Sequence, residues 1–405
     1  MGDFHQNGTI TTLHNLADRT TEDIERELVG FSRTMPMTLV LPSLYSELQT
    51  DALEGIVQQL KDVPYLSQIV VGLDRATKEE FEHAKEYFGR LPQPLKILWN
   101  DGPRLRAVDE KLQKLDLAPK EPGKGRNVWY CYGYTLAQGN SKVIAMHDCD
   151  IKTYDRSLLA RLVYPVANPS FRYQFSKGFY SRYADGKLNG RVCRLLVTPL
   201  LRALKQVCGS NDYIEYLDSF KYSLSGEFAL RTDVIRNLRI PSDWGIEIGV
   251  LSELHRNYNE RNICQVDIAD CYDHKHQPLS KEDAEKGLSK MSTDITKAVF
   301  RKLATNGFVF TEEHFRTIKA SYFRIALDFV EMYYNDAMFN GLQIDRHSEE
   351  EAVELFAKNI MEAGQQYLDK PMETPFIPSW NRIQAAEPDI FEQIYDAVEL
   401  DNSNY

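Results

Sequence analysis

The sequence predicts an α/β fold, in which a mostly parallel, twisted sheet is flanked by helices and followed by a helical C-terminal extension. Three observations predict it. Apolar runs alternate with amphipathic stretches from about residue 37, which is typical of parallel sheets covered by helices. Acidic and amide residues end several of these runs. From about residue 286 onward, most of the sequence shows the hydrophobic periodicity of helices.

The first strand and helix signals lie in the first 101 residues. Thr20 or Thr21 is suited to cap a helix over "TTEDIERELVGF", and Thr77 with Glu80 forms a capping box before "EEFEHAKEYF". Strands are predicted at "MTLVLPSL", which Pro42 should end, and at "LSQIVVGLD" and "PLKILWND", with a helix at "DALEGIVQQLKDV". Ligands of such sheets bind beyond the carboxyl ends of the strands, where the chain carries Asp74, Asn100, Asp101, Asp148 and Asp150.

The run "KVIAMHDCDIKTYD" ends an apolar strand with Asp148 and Asp150, one residue apart. Alternation along a strand would point both carboxylates the same way, and their like charges would push their pKa values apart. A divalent cation, Mg²⁺ or Mn²⁺, would offset the repulsion; the alternative is an ordinary strand end. His274 is a candidate third ligand that favours Mn²⁺, although His274 and His276 also suit a solvated loop.

Basic residues beside glycine form two further candidates in a chain of net charge −11. "EPGKGRN" offers Lys124 and Arg126 on permissive backbone, or is a flexible turn. "GKLNGRVCRLL" gathers Lys187, Arg191 and Arg194 around Gly190, and Arg binds carboxylate or phosphate in bidentate fashion. The alternative for the second is a basic helix start that faces solvent.

Three acidic residues lie within otherwise apolar stretches of the sequence and should be semi-buried. They are Glu227, Asp243 and Glu247. One of them could face a sugar hydroxyl or a developing positive charge, with Trp244 as an apolar wall for a sugar ring. The alternative is a structural salt bridge to Arg231 or Arg239.

Composition excludes several classes of protein. The 405 residues are 43% hydrophobic and acidic overall, which argues against nucleic-acid binding. We expect no membrane span, since no run of about 18 apolar residues occurs, and no secretory signal. The six cysteines form no CxxC pair, so reduced thiols and a cytoplasmic location are expected.

The order of these motifs resembles one family. GKG, then DxD at a strand end, "GRVCRLLVTPLLRAL", "LSGEFALR", "WGIEIGVLSEL" and "QVDIADCYDHKHQPL" are similar to the glucosyl-3-phosphoglycerate synthases, retaining glycosyltransferases of the GT-A fold. Mannosyl-3-phosphoglycerate and mannosylglycerate synthases share a similar layout, including "SDWGI". The resemblance covers about residues 37–285. The expected domains are an N-terminal helical extension (1–36), a GT-A domain (37–285, nucleotide-binding to about 155) and a helical region (286–405).

The resemblance implies a role for each matching residue. Asp150 and His274 would hold Mg²⁺ or Mn²⁺. The donor would contact Pro42, Leu44, Glu47, Asp74, Lys124 and Asp148. The acceptor would contact Gly190, Arg191, Cys193 and His276, and the catalytic group would comprise Glu227, Asp243 and Glu247.

The implied reaction moves glucose from a nucleotide-diphosphate sugar to 3-phosphoglycerate or D-glycerate, giving a glucosylglycerate-type compatible solute or its precursor. UDP-glucose or GDP-glucose is the expected donor and GDP-mannose a less favoured one, and a homodimer is expected. Two alternatives of other classes are a sugar nucleotidyltransferase, which also uses an Asp pair and a metal, and a non-catalytic binding protein.

The chain departs from the family pattern around the sugar and the acceptor. Cys193 stands where the family has threonine, which removes a hydroxyl donor. His276 replaces an asparagine, and Asp243-Trp244-Gly245 replaces glycine-tyrosine-glycine. These differences leave open whether the acceptor is phosphoglycerate or free glycerate.

Overall fold

A computed structural model of the chain describes residues 6, 8–16, 19–119, 123–242, 245–274, 287–371 and 376–403. Its strands are β1 (Thr11–Leu13), β2 (Met37–Leu44), β3 (Leu66–Asp74), β4 (Leu95–Trp99), β5 (Val143–Met146), β6 (Phe175–Tyr180), β7 (Tyr183–Ala184), β8 (Lys187–Leu188), β9 (Phe228–Arg231), β10 (Ile240–Pro241), β11 (Ile263–Ala269) and β12 (Phe376–Ile377).

The helices cover both faces of the sheet and most of the C-terminal region. They are α1 (Thr21–Ser32), α2 (Asp51–Leu60), α3 (Lys78–Phe88), α4 (Pro103–Lys114), α5 (Lys124–Gln138), α6 (Arg156–Ala167), α7 (Thr198–Cys208), α8 (Asp212–Asp218), α9 (Thr232–Asn237), α10 (Ile246–Asn257), α11 (Gly287–Thr305), α12 (Glu312–Phe339), α13 (Arg346–Asp369), α14 (Trp380–Ala386) and α15 (Ile390–Asn402). A 3₁₀ turn spans Tyr45–Gln49 and a π-helix spans Val192–Val197.

Eight strands form one sheet in the order β1-β11-β6-β9-β5-β2-β3-β4. β9 runs antiparallel to its neighbours β5 and β6, and the other pairings in this sheet are parallel. Side chains alternate between the two faces, so Val40 and Val70 join the core under α5 while Leu39 and Ile69 join the core under α2 and α3. The predicted α/β fold class is confirmed.

Local sequence signals locate the helix starts well. Thr20 caps α1 by accepting from the Asp23 amide, and the Thr77–Glu80 capping box starts α3. β2 does not end at Pro42, as the sequence predicted, but continues to Leu44, with Pro42 opposite Gly72 of β3. Because a proline lacks only its own N–H, Pro42 removes one hydrogen-bond donor from the strand, and the pairing with β3 continues past it.

The N-terminal segment contributes more than the expected helix. β1 pairs in parallel with β11 and forms one edge of the sheet. The stretch "TITTLHNL" shows no alternation of polar and apolar residues that would have predicted this strand. A three-residue edge strand forms because its partner strand offers it backbone hydrogen bonds.

At the opposite edge, β4 is covered by α15. The Asn402 side chain accepts from the Ile97 amide (3.0 Å) and donates to the Ile97 carbonyl (2.8 Å). Lys96 of β4 pairs with Glu399, whose carboxylate also accepts from the Tyr134 hydroxyl of α5. The end of the helical region therefore satisfies backbone groups that a bare edge strand would leave open. Among the residues with described positions, no helix is both long and apolar enough to cross a membrane.

Candidate active site

The carboxyl ends of β2 and β3 bring the predicted nucleoside residues together. Leu44 lies opposite Asp74 in the parallel ladder, two residues beyond Pro42. Asn100, which follows β4, donates to Asp74 Oδ1 over 2.7 Å. Glu47 is buried in the 3₁₀ turn after β2. Burial raises the pKa of Asp74, so this polar edge is largely removed from solvent.

Three elements meet at Lys124, the first residue of α5. Its Nζ lies 2.7 Å from Asp148 Oδ1 and 3.4 Å from Glu247 Oε1, in the first turn of α10. Desolvation lowers the pKa of Lys124, but attraction to Asp148 and Glu247 outweighs it and the net pKa is raised. Lys124 is therefore a fixed positive charge, a third exposed, at the mouth of an acidic pocket.

Gly226 makes room for this ion pair. A Cβ at that position would lie 2.5 Å from Asp148 Oδ2 and 3.3 Å from Lys124 Nζ. Real Cβ atoms do not approach so closely, so only glycine lets the turn before β9 pass across the two charged groups.

Asp148 and Asp150 lie beyond the end of β5, which stops at Met146. The expectation that strand alternation orients them is thus wrong, because the chain has already left the sheet. Desolvation raises the pKa of Asp148, but Lys124 outweighs it and the net shift is downward. Burial and the Asp148 charge raise the pKa of Asp150 to about 7, so the two pKa values are pushed apart, as their like charges predict.

Asp150 and His274 are neighbours. His274 Nδ1 lies 3.9 Å from Asp150 Oδ2, and a backbone bridge joins Ile151 to His274. Within the described part of the chain, no three His, Cys, Asp or Glu side chains converge as a metal site. Burial, and then the charges of Asp148, Glu47 and Glu227, raise the pKa of Asp150, and a cation would relieve the repulsion among these carboxylates. The pair therefore fits a metal that also takes oxygens from substrate or water.

Glu227 is fully buried between hydroxyl groups. Its carboxylate accepts from Tyr180 (2.7 Å), Tyr272 (2.7 Å) and Ser225 (3.0 Å). The rings of Tyr180 and Tyr272 stack at 3.7 Å. The alternative of a salt bridge to Arg231 or Arg239 does not hold for Glu227 or Glu247, since Arg239 pairs with Glu253 at 2.8 Å and Arg231 donates to the Phe171 carbonyl; Asp243 lies outside the described residues.

Two of the predicted acceptor residues, Gly190 and Cys193, pack against residues 222–224, which precede the turn at Gly226. Gly190 has φ +77°, and a Cβ there would meet Arg182 at 3.3 Å and Tyr222 at 3.6 Å. Arg182 Nη1 donates to the Tyr222 hydroxyl over 3.1 Å. Cys193 is buried and bonds to the backbone of Ser223, just before Gly226. Gly190 thus lies beside the buried Arg182.

Arg191 contacts the C-terminal region. Its Nε donates to Glu349 Oε1 over 2.8 Å, and its Nη2 donates to Ser348 Oγ over 3.2 Å. Arg194 Nη1 lies 2.8 Å from Glu349 Oε2. Both arginines are therefore held by the first turn of α13, which the sequence analysis did not connect with the site.

Comparison with known proteins agrees with this geometry. A glucosyl-3-phosphoglycerate synthase of Persephonella marina is 45% identical over 404 residues, covering 100% of both chains. A second, from Methanococcoides burtonii, is 38% identical over 410 residues, covering 100% of this chain and 99% of the relative. The chain belongs to the glucosyl-3-phosphoglycerate synthase family. It is a glycosyltransferase, and the sugar nucleotidyltransferase and non-catalytic alternatives no longer apply.

The fold agrees as well. A crystal structure of glucosyl-3-phosphoglycerate synthase from Mycobacterium tuberculosis with phosphoglyceric acid matches at a TM-score of 0.53 and 21% identity, covering 73% of this chain and 88% of that one. The sheet is thus of the GT-A type. No protein-family model matches the chain. The likeness to the Persephonella marina synthase extends over residues 1–36 and the helical region, which the motifs did not reach.

Two residues near the glycosyltransferase site were missed from sequence. Lys177 of β6 is 1% exposed and donates to the Ser225 carbonyl over 2.7 Å; burial lowers its pKa to about 8. Arg182 is 9% exposed beside Gly190. A lysine inside an apolar strand was the available signal for Lys177. Asp243 and His276 lie outside the described residues, and their assignments, like those of the other site residues, stay predictions.

Proposed function

We propose that this glycosyltransferase moves glucose from UDP-glucose to 3-phosphoglycerate with the help of a divalent metal. The observation that carries the proposal is the cluster of arginines around Gly190, in which Arg191 is 30% exposed while Arg182 and Arg194 are buried, in a chain of net charge −11. An acidic protein needs such a local cluster to hold an anionic acceptor. Family membership gives the sugar and the acceptor class their support.

Relatives of the same fold support the donor and the metal. Solved structures of the Mycobacterium tuberculosis synthase hold Mn²⁺ with UDP-glucose and phosphoglyceric acid, and one holds Mg²⁺ with UDP. In this chain Asp150 and His274 would hold the ion. When bound, the ion would neutralise charge on the departing diphosphate.

The reaction separates charge between the sugar and the diphosphate. Lys124 would face the negative charge that develops on the leaving diphosphate, and its proton stays in place because Asp148 and Glu247 favour the charged form. The carboxylates of Asp148 and Glu247 would in turn favour the positive charge that develops on the sugar. Retention of the anomeric configuration follows from the family resemblance.

The buried groups would hold the turn under the sugar. Tyr180 and Tyr272 donate to Glu227, and Lys177 donates to the Ser225 carbonyl. These bonds hold residues 225–227 in place beside Asp148. A donor sugar above this turn would meet a rigid surface, which is the condition for positioning an acceptor hydroxyl close to the anomeric carbon.

The test uses purified enzyme with MnCl₂ and each of UDP-glucose, GDP-glucose and GDP-mannose. Each donor is paired with 3-phosphoglycerate or D-glycerate, and products are identified by mass. We expect the highest kcat/KM with UDP-glucose and 3-phosphoglycerate. A higher value with GDP-mannose would overturn the donor, and a higher value with D-glycerate would overturn the acceptor.

A further inference from the structure

The segment that carries the proposed acceptor residues is bound along its length by the helical C-terminal region. Tyr322 of α12 donates its hydroxyl to the Leu195 carbonyl over 2.6 Å. The guanidinium of Arg194 lies over the ring of Tyr333 at 4.8 Å. Gln343, between α12 and α13, donates its amide to the Gly186 carbonyl over 2.6 Å. The α12–α13 hairpin thus forms a wall behind this segment.

Glu349 is the ionic centre of that wall. Its side chain is 3% exposed, and its two oxygens lie 2.8 Å from Arg191 Nε and 2.8 Å from Arg194 Nη1. A carboxylate this deeply buried is stable only when it is paired. Glu349 is hydrogen-bonded to Arg191 and lies at ion-pair distance from Arg194, whose Nη atoms make no hydrogen bond.

Helix α13 contacts only the edge of the Arg191 guanidinium that carries Nε and Nη2. The contacts to Glu349 and Ser348 use the Nε proton and one Nη2 proton, and a guanidinium carries five N–H donors in a rigid plane. Arg191 is also 30% exposed, whereas Arg194 is 8% exposed. Arg191 can therefore present its remaining donors to an anion while α13 holds its plane.

The backbone here is also unusual. Val192–Val197, which follows Arg191, is a π-helix, a conformation that is rare and concentrates at functional sites. Tyr322 donates to Leu195 within this π-helix. The α12–α13 hairpin therefore stabilises a stretch of backbone that lacks the regular α-helical hydrogen-bond pattern.

We propose that Glu349 is a positioning residue for the acceptor, which orients Arg191 and Arg194 from the C-terminal region and makes α13 part of the acceptor site. The inference rests on the proposed function, since it takes Arg191 to bind the acceptor's carboxylate or phosphate. If Glu349 acts by orienting Arg191, removing its charge should weaken acceptor binding. If it acted through its charge alone, the effect would be the opposite. Removing the Glu349 charge leaves the cluster more positive, which by attraction alone would strengthen anion binding.

The experiment measures acceptor KM, donor KM and kcat for Glu349→Gln with 3-phosphoglycerate and UDP-glucose. We expect acceptor KM to rise about tenfold with donor KM within about twofold of wild type, because only acceptor binding is lost. The matched control is Glu350→Gln, the next residue on α13, whose partner Arg346 is on the same exposed face; it should leave acceptor KM unchanged.

Other outcomes would overturn the inference. A lower acceptor KM in Glu349→Gln would mean that Glu349 competes with the acceptor, and an unchanged KM would mean that it does not act on Arg191. A rise in both KM values would indicate a general structural role. If Glu349→Gln does not fold, Glu349→Asp keeps the charge but shortens the side chain and withdraws the carboxylate from Arg191, and an unchanged acceptor KM in that variant would equally overturn the inference.

A double variant separates this inference from the proposed function. If Glu349 acts through Arg191, the effects of Glu349→Gln and Arg191→Ala on acceptor KM should not add. If Arg191→Ala raises acceptor KM and Glu349→Gln does not, the positioning role fails and the acceptor site stands. If Arg191→Ala itself leaves acceptor KM unchanged while product still forms, the assignment of the acceptor site fails first.

Discussion

The ammonium nitrogen of Lys124 lies 2.7 Å from Oδ1 of Asp148, joining the start of α5 to the loop after β5. Twenty-three residues separate the two in sequence. The pair lies against the turn before β9, because Gly226 packs directly against both charged groups.

Gly226→Ala should reduce kcat/KM for the donor by roughly ten- to hundredfold, since its Cβ would displace Asp148 and misplacing reacting groups by about 1 Å costs that much. Steady-state kinetics with UDP-glucose measures it. The control is Gly55→Ala in α2, where a Cβ would meet nothing within 4 Å; it should be neutral or stabilise by about 0.5–1 kcal/mol. Equal activity of Gly226→Ala and wild type would contradict the packing argument.

Asp150→Asn should abolish activity, and excess chelator should do the same to the wild type, because the acidic pocket needs a cation when diphosphate enters it. His274→Ala should raise the Mn²⁺ concentration for half-maximal activity by at least about tenfold, the lower figure typical of losing even an outer-shell partner. His276→Ala is the control. Equal effects of the two histidine variants would show that the ligand is misassigned.

Arg191→Ala should raise acceptor KM by about ten- to hundredfold, because losing a hydrogen bond to a charged group costs ~1.5–3 kcal/mol. Donor KM should stay near the wild-type value, since the proposed donor residues lie at the carboxyl ends of β2 and β3, away from Arg191. Kinetics with each substrate varied in turn measures both. A defect in donor KM alone would place this basic cluster on the diphosphate.

Lys177 should make stability depend on pH. Burial lowers its pKa to about 8, against about 10.4 in an unfolded chain. Between those values the unfolded chain binds a proton that the folded protein does not, so the wild type gains stability as pH rises, by up to about 1.4 kcal/mol per pH unit. Below about pH 8 both states are protonated, and this gain is absent.

Urea unfolding of wild type and Lys177→Met at pH 7.5 and pH 9.5 measures the effect. The stability of the wild type relative to the variant should increase between the two pH values. The exposed Lys78 supplies the control, and Lys78→Met should show no such change. If the difference in unfolding free energy between wild type and Lys177→Met were the same at both pH values, the lowered pKa of Lys177 would be contradicted.

Local sequence patterns determined the strands and helices. The Thr77–Glu80 capping box and the apolar run Leu66–Asp74 appear in the structure as predicted, because caps and periodicity depend on residues within a few positions of one another. The same locality explains why Asp74, Asp148 and Asp150 could be expected at the carboxyl edge of a parallel sheet. Family membership also followed, because motif order is itself a property of the sequence.

Tertiary structure decided which side chains work together. The contacts of Lys124 with Glu247, of Lys177 with Ser225 and of Arg191 with Glu349 join residues 123, 48 and 158 positions apart. No local pattern encodes such pairs, since they exist only after the sheet and the C-terminal hairpin pack. The same holds for β1, whose three residues become a strand because β11 offers an open edge, and for the pKa of Asp150, which burial sets rather than its neighbours in sequence alone.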